Sequence, residues 1–524
     1  MPITFYKTRG QIPNQSYNTA YLNMDNWDDF GYKTLFYLTF FNDVGEKFEL
    51  GSVKIGFVNH PGGWTADRLE DSFELLGEGF FSLGQDADYY RSAIELLPNE
   101  IMVEIFTSLR DVAFNPRILE AASAEDVFGT SLLRSVNRSS IEHQFKRIIE
   151  GNAPLTGYDF IYKKGANDIY SGIELEFKVR PDSRPPSNIH ILIGRNGVGK
   201  TTLLNNMVDA LLPERGVPEE TGEFFTNVDF LGEDQLGSDY FAGIVSVSFS
   251  AFDPFEPPDD QNNANNGMRY NYVGLKQHVS DGDESYWRLK DKNDLCIEFA
   301  ESLKKCLSLS AKRVRWINAV NKLTTSDSNF EVMSLNELLT IYDEDPTDDK
   351  DRFSERAVSR FKRMSSGHAS VLLTITKLVE TVEEKTLVLI DEPESHLHPP
   401  LLSAFTRALS DLLVNRNGVA IVATHSPVVL QEVPASCVSI LRRSRLEMIV
   451  DSPESETFAE NLGVLTRDVF QLEVSKSGFH ELLANAVFEG KSFEQIEEEY
   501  EYQLGFEGRA LLRSLVVARD SDGG

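Results

Sequence analysis

Over the first 150 residues the spacing of apolar positions changes character twice. Residues 34–41 are almost continuously aromatic and apolar, Asn42, Asp43 and Gly45 supply a turn, and 48–58 alternates apolar with polar. This predicts two strands joined by a tight connection. Between 86 and 114, Ile94, Ile101, Val103, Ile105 and Leu109 recur near helical spacing. Pro98 cannot donate a hydrogen bond inside a helix, so two helices are expected there rather than one. A third is expected at 139–149. The pattern makes 1–150 a mixed α+β N-terminal domain. It carries no metal cluster or nucleophile arrangement, and a structural or partner-binding role fits it better than catalysis.

A second unit begins near Tyr158. Residues 159–163 and 173–179 read as paired strands, a polar Pro-rich loop follows at 181–188, and 189–193 is a wholly apolar strand. Residues 251–293, rich in Asp, Asn, Pro and Gly, read as an irregular insertion, with helices expected at about 295–309 and 311–323. From 353 to 441 helix and strand patterns alternate, which favours an α/β sheet. The tail from 451 onward is helical in pattern and acidic, with Glu497, Glu498 and Glu499 on a solvated face. The expected division is 1–150, then 151–445 with an irregular and helical insertion at about 251–345, then a helical C-terminal region at 446–524. No heptad pattern persists over several repeats, so no long coiled coil is expected.

Composition narrows the class. Lys and Arg number 51 against 82 Asp and Glu, a net charge of −31, which argues against a nucleic-acid coat and leaves room only for a local basic groove. Three cysteines (Cys296, Cys306, Cys437) without a CxxC pair give neither a disulfide framework nor a zinc site, so a reduced, cytoplasmic chain is expected. The first residues lack a signal pattern and no run approaches about 18 apolar residues, so neither secretion nor membrane insertion is expected.

The chemistry lies in four places. Gly194-Arg195-Asn196-Gly197-Val198-Gly199-Lys200-Thr201 fits G-x-x-x-x-G-K-[ST], between the strand 189–193 and a helical pattern starting at Thr202. Glycines let backbone N–H groups wrap phosphates, and the helix N-terminus favours the anion. Residues 194–202 are therefore the expected ATP-binding loop, with Lys200 reaching the β- and γ-phosphates and Thr201 on Mg²⁺. The apolar strand 386–390 ends in Asp391 and Glu392. Asp391 is expected to hold Mg²⁺ with Thr201, and Glu392 to orient or deprotonate the attacking water. A third strand, 418–424, ends in His425, placed to hydrogen-bond the γ-phosphate if the strands are neighbours. The fourth is Met364-Ser365-Ser366-Gly367-His368, which precedes a helical pattern at 369–378.

Together these residues resemble ABC-type ATPase heads, whose Leu-Ser-Gly-Gly-Gln signature contacts ATP held by the opposite subunit. Ser365 and Gly367 match that pattern, and Met364, Ser366 and His368 depart from it. The run Ile390-Asp-Glu-Pro-Glu-Ser-His-Leu-His-Pro399 resembles the ATPase subunits of bacterial anti-phage systems (Septu, retron-associated and OLD-family proteins), which are themselves similar to RecF heads. The resemblance spans about 158–445. It implies a P-loop NTPase fold, ATP and Mg²⁺, a homodimer closed around two ATP molecules with Ser365, Ser366 and Gly367 acting in trans, and control of a separate effector, a nuclease, in anti-phage defence. A RecF- or SMC-like repair ATPase and a transporter ATPase subunit are the alternatives.

Two departures bear on this. In ABC heads a glutamine follows the strand after the P-loop helix. The equivalent segment 244–253 has none, leaving Ser250 or Asp253 as substitutes. An OLD-type nuclease needs a metal-binding domain after His425, and none is expected in the residues that remain, so the nuclease is expected on another chain. Arg352, Arg356 and Arg360 share one helix face, with Lys362 and Arg363 just beyond. Either they are solvated beside Asp351 and Glu355, or they contact phosphate of DNA or of the opposite ATP.

Overall fold

The computed structural model describes the chain except residues 1, 139, 150–156, 167–171, 182, 213–216, 229–231, 238–239, 251–252, 254, 262–267, 282–283, 328–334, 346–349, 396, 445–446, 475–477 and 523–524. The N-terminal part forms a six-stranded sheet in the order Ser72–Phe73, Thr4–Thr8, Thr19–Met24, Leu35–Phe41, Lys47–Phe57, Phe80–Gly84. The predicted hairpin is its centre: Leu35–Phe41 pairs antiparallel with Lys47–Phe57. Helix Ala87–Leu96 begins on the Asp86 side chain, which accepts from Asp88 N, and Pro98 separates it from Asn99–Ser108. The third expected helix is a π-helical turn, Ser140–Phe145, running into Lys146–Ile149. Strands Thr4–Thr8 and Thr19–Met24 were not legible, because each is short and only partly buried.

The second unit is built on seven strands in the order Arg269–Gly274, Gly243–Ser248, Thr386–Asp391, Val419–Thr424, Ile189–Gly194, Val438–Ser444, Glu447–Asp451. All neighbours are parallel except the last pair. The central strands read as unbroken apolar runs because both faces are covered. Val388, Ile390, Ala420 and Val422 enter a core shared with Leu303, Trp316 and Leu372. Leu387, Leu389, Val419 and Ile421 enter another with Met207 and Val208 of helix Lys200–Leu211. Tyr158–Lys164 and Ile173–Val179 pair antiparallel as expected, in a four-stranded sheet beside that second core.

The region expected to be irregular is partly a sheet. Arg269–Gly274 forms its edge strand on Gly243–Ser248, and Lys276–Asp281 pairs with Glu284–Leu289. An edge strand keeps polar residues such as Arg269 and Asn271, so its pattern gives no apolar run. The two expected helices run Lys292–Ser308 and Ser310–Ser326. The sheet continues past residue 445 with Glu447–Asp451, and helices Leu462–Val474, Phe479–Phe488, Phe493–Glu499 and Phe506–Asp522 complete the described chain. Among the described residues no helix is long and apolar enough to cross a membrane.

A buried ionic cluster joins the two units. Asp86 meets Arg315 at 2.8 Å and Arg416 at 3.4 Å, and Glu383 meets Lys312 at 2.9 Å and Arg416 at 2.5 Å. Burial opposes ionisation of Asp86, yet the Arg315 and Arg416 guanidiniums hold it below the ordinary carboxylate range. Breaking such a buried pair on one side costs roughly 3–5 kcal/mol.

Candidate functional site

The order of strands brings three of the predicted motifs together. Thr386–Asp391, Val419–Thr424 and Ile189–Gly194 are consecutive neighbours, so Asp391, His425 and the glycine-rich loop emerge side by side at the carboxyl ends of parallel strands. In open α/β sheets this edge is where ligands bind.

The loop conformation explains its residue types. A Cβ on Gly194 would stand 2.3 Å from the Leu441 carbonyl oxygen, so the strand can leave the sheet there only as glycine. Gly197 (φ +78°) and Gly199 (φ +105°) take left-handed backbone, and Gly199 caps helix Lys200–Leu211. Val198 is buried in the core and anchors the loop, while Arg195, Asn196 and Thr202 are exposed. Lys200 Nζ donates to the carbonyls of Gly194 (2.8 Å) and Arg195 (3.1 Å), which aims the ammonium along the loop. Burial lowers its pKa, against the attraction of Glu392, Glu394 and Asp391.

Thr201 Oγ1 donates to Asp391 Oδ2 at 2.9 Å, tying the loop to the neighbouring motif. The other oxygen, Asp391 Oδ1, is buried without a hydrogen-bond partner, as is the hydroxyl of Ser248, the residue facing Asp391 on the adjacent strand. Burial pushes the Asp391 carboxyl up to about 7; Glu392 and Asp253 add to this, and the Thr201 bond and Lys200 oppose it. An orphaned carboxylate oxygen beside two hydroxyls is a hard oxygen donor set and fits Mg²⁺. Among the described residues no group of three or more His, Cys, Asp or Glu could hold a metal.

Glu392 sits at φ +46°, a strained conformation for a non-glycine residue, and its N–H donates to the Ala423 carbonyl at 2.9 Å. His425 Nδ1 lies 3.8 Å from Glu392 Oε1 and 3.0 Å from Glu394 Oε1. Glu394 is the residue that the motif reading passed over. Its Oε1 also accepts from Thr424 Oγ1 (2.7 Å) and His425 N (2.6 Å), so it holds the end of the third strand against the turn after Glu392. The acidic residue three places after Asp391 was its signal. Asp327 had none: its Oδ2 receives Nε2 of both His368 and His398 at 2.9 Å, across a large gap in sequence.

Ser365 caps helix Ser366–Thr381, and its hydroxyl lies 2.6 Å from His368 Nδ1. Ser365 and Ser366 are exposed and Gly367 is buried. Among the described residues the Ser365 hydroxyl bonds within its own helix, to Nδ1 and the N–H of His368, and not to the glycine-rich loop of the same chain. Of the basic stripe on helix Asp351–Phe361, Arg352 and Arg356 are exposed and Arg360 pairs with Glu337, while Phe353, Ala357 and Phe361 fill the opposite face. His396, quoted in the motif run, lies outside the described residues.

Residues 189–431 match a family described as "AAA domain, putative AbiEii toxin, Type IV TA system". Over 522 residues the chain is 44% identical to protein ea59 of Escherichia phage lambda, covering 98% of this chain and 97% of that protein. An ATP-binding cassette of an ABC transporter in its ADP conformation overlays with a TM-score of 0.30 at 13% identity, over 61% of this chain and 97% of the cassette. An Smc head bound to the C-terminal winged-helix domain of ScpA overlays with a TM-score of 0.26 at 13% identity, over 56% of this chain and 97% of that one. At such scores the overlays say nothing of what the chain does.

Proposed function

The chain belongs to the family of the phage lambda protein ea59 and carries an AAA-family P-loop ATPase domain, and from that premise we propose that it is a Mg²⁺-dependent ATPase that closes as a dimer around two ATP molecules and regulates a separate nuclease in anti-phage defence. The observation that carries the enzymatic part is the Thr201–Asp391 hydrogen bond with Asp391 Oδ1 left unpartnered beside Lys200 and Glu392.

Residues 194–202 wrap the phosphates, and Lys200 turns from the loop carbonyls to the β- and γ-phosphates. Thr201 and Asp391 hold the ion, which when bound neutralises charge building on the phosphate oxygens. Glu392 orients the attacking water and takes its proton. His425, fixed through Nδ1 by Glu394, directs Nε2 at the γ-phosphate. Ser365, Ser366 and Gly367 offer a hydroxyl, N–H groups and a helix N-terminus to the γ-phosphate of the opposite chain. Such an arrangement makes both sites equivalent in a two-fold dimer and makes ATP part of the interface.

Glu392→Gln should keep ATP binding and slow phosphate release by about 10²-fold or more, the scale for removing a general base; undiminished turnover by purified variant would refute the assignment. Ser365→Arg and Lys200→Ala proteins should each be inactive alone. Mixed, they should recover about one working site per heterodimer, and absence of recovery in demonstrated heterodimers would exclude action in trans.

A further inference from the structure

At the opposite ends of the same central strands, the joint with the N-terminal sheet encloses a cavity of about 470 Å³. Part of its wall is Gly243, Ile244 and Thr386, the first residues of strands whose last residues, Ser248 and Asp391, stand at the glycine-rich loop. Six-residue strands put the two places roughly 17 Å apart or more.

The lining is basic in a strongly acidic chain. Lys54, Arg134, Arg269, Lys305, Lys312 and Lys377 face it. Among the described residues the carboxylates that do so are Asp260, Glu380 and Glu383, with Asp29 behind them. Lys305 and Lys377 share Glu380, Lys312 pairs with Glu383, and Lys54 and Arg134 share Asp29. Arg269 has no carboxylate in contact among the described residues. Its guanidinium donates to the Leu133 and Val136 carbonyls, and its Nε is buried without a partner. Glu383 is the carboxylate it feels, yet Arg269 is the sixth cation of a lining with four carboxylates in or behind it, which leaves an excess of positive charge for an anion to meet.

The lip is aromatic and rigidly held. Asp29, only 1% exposed, receives Lys54 Nζ (2.6 Å), Trp27 Nε1 (2.8 Å), Ser131 Oγ (2.9 Å) and Arg134 Nε (3.2 Å). Beside it Phe30 is 76% exposed at φ +51°, a backbone region that a bulky side chain rarely enters. Folding has set an exposed ring at the mouth of a basic cavity against local preference, as ligand clamps do.

We propose that this cavity is a second nucleotide site, distinct from the glycine-rich loop, taking the phosphates on its lysines and arginines and the base against Trp27 and Phe30. The volume lies in the range of small-molecule pockets and suits one nucleotide. The combination of ring faces with clustered cations fits a phosphorylated aromatic ligand better than an anion alone.

The test uses the full chain carrying Lys200→Ala, titrated calorimetrically with ATP, GTP and inorganic tripolyphosphate. It should bind about one nucleotide per chain, and tripolyphosphate more weakly. Adding Arg134→Ala and Lys305→Ala, which leave Asp29 and Glu380 with other partners, should weaken binding by about tenfold or more. Phe30→Gly relieves the strained φ, so it should weaken nucleotide but not tripolyphosphate without lowering the melting temperature. No nucleotide bound by the Lys200→Ala protein, binding indifferent to the lining substitutions, or tripolyphosphate bound as tightly as nucleotide would each overturn the proposal.

Discussion

Asp111 in the N-terminal sheet unit and Asp391 in the ATPase unit are both buried carboxyls that burial pushes up to about 7. Their surroundings differ in one respect. The Asp111 oxygens are both engaged, by the Tyr90 hydroxyl (3.2 and 3.0 Å) and by the N–H groups of Ala113 (2.9 Å) and Phe114 (3.1 Å). Asp391 has one oxygen bound to Thr201 and the other buried with nothing to bind. A raised pKa therefore does not mark a site by itself. Saturation by neutral donors fits a structural role, whereas an orphaned oxygen leaves an interaction for a ligand to complete.

The comparison breaks most readily at Asp391. Asp391→Asn keeps an acceptor for Thr201 and removes the charge, so Mg²⁺-dependent phosphate release should fall by about 10³-fold or more, some 4 kcal/mol, with no loss of thermal stability. Asp111→Asn should leave turnover intact. If the two substitutions reduced turnover alike, the distinction by partner saturation would be wrong.

Asp111 instead controls stability against pH. Its folded pKa of about 7 lies above the ordinary 3.8, so the native state keeps a proton that the unfolded chain has lost. Its contribution is fully present below the unfolded value and is lost as pH rises through 7. Between pH 5.5 and 8.5 the natural chain should lose about 2 kcal/mol more than Asp111→Asn in urea unfolding. Equal losses would show that Asp111 is ionised throughout that range.

The same contrast explains what was legible in the sequence. Lys200, Thr201, Asp391 and Glu392 stand at fixed short spacing at or just beyond the ends of two strands buried on both faces, so apolar runs and short motifs disclose them together. His425 needed one further premise, adjacency of its strand, and Val419–Thr424 does lie between the other two. Interactions that the fold makes across distance were not legible. Asp111 and Tyr90 are 21 residues apart, and nothing local distinguishes this aspartate from a surface one. Asp86 meets Arg416 across 330 residues. Strand Arg269–Gly274 was hidden for another reason: at the edge of a sheet only one neighbour constrains its composition.

Glu394 provides the finest test, because it combines both conditions in one side chain. Its Oε1 is engaged like the oxygens of Asp111, by Thr424 Oγ1, His425 N and His425 Nδ1, whereas its Oε2 is buried without a partner like that of Asp391. On the proposed assignment it acts through His425 and does not touch the reacting phosphate. Glu394→Gln retains an oxygen for all three donors and so preserves the imidazole orientation and the strand end. Only the negative charge beside Nδ1 is lost. Turnover should fall about tenfold with KM for ATP little changed. Glu394→Ala, which also removes the acceptor, should cost more and lower the melting temperature. A Gln variant with undiminished turnover beside an impaired Ala variant would mean that Glu394 serves the turn alone and that its charge beside His425 plays no part.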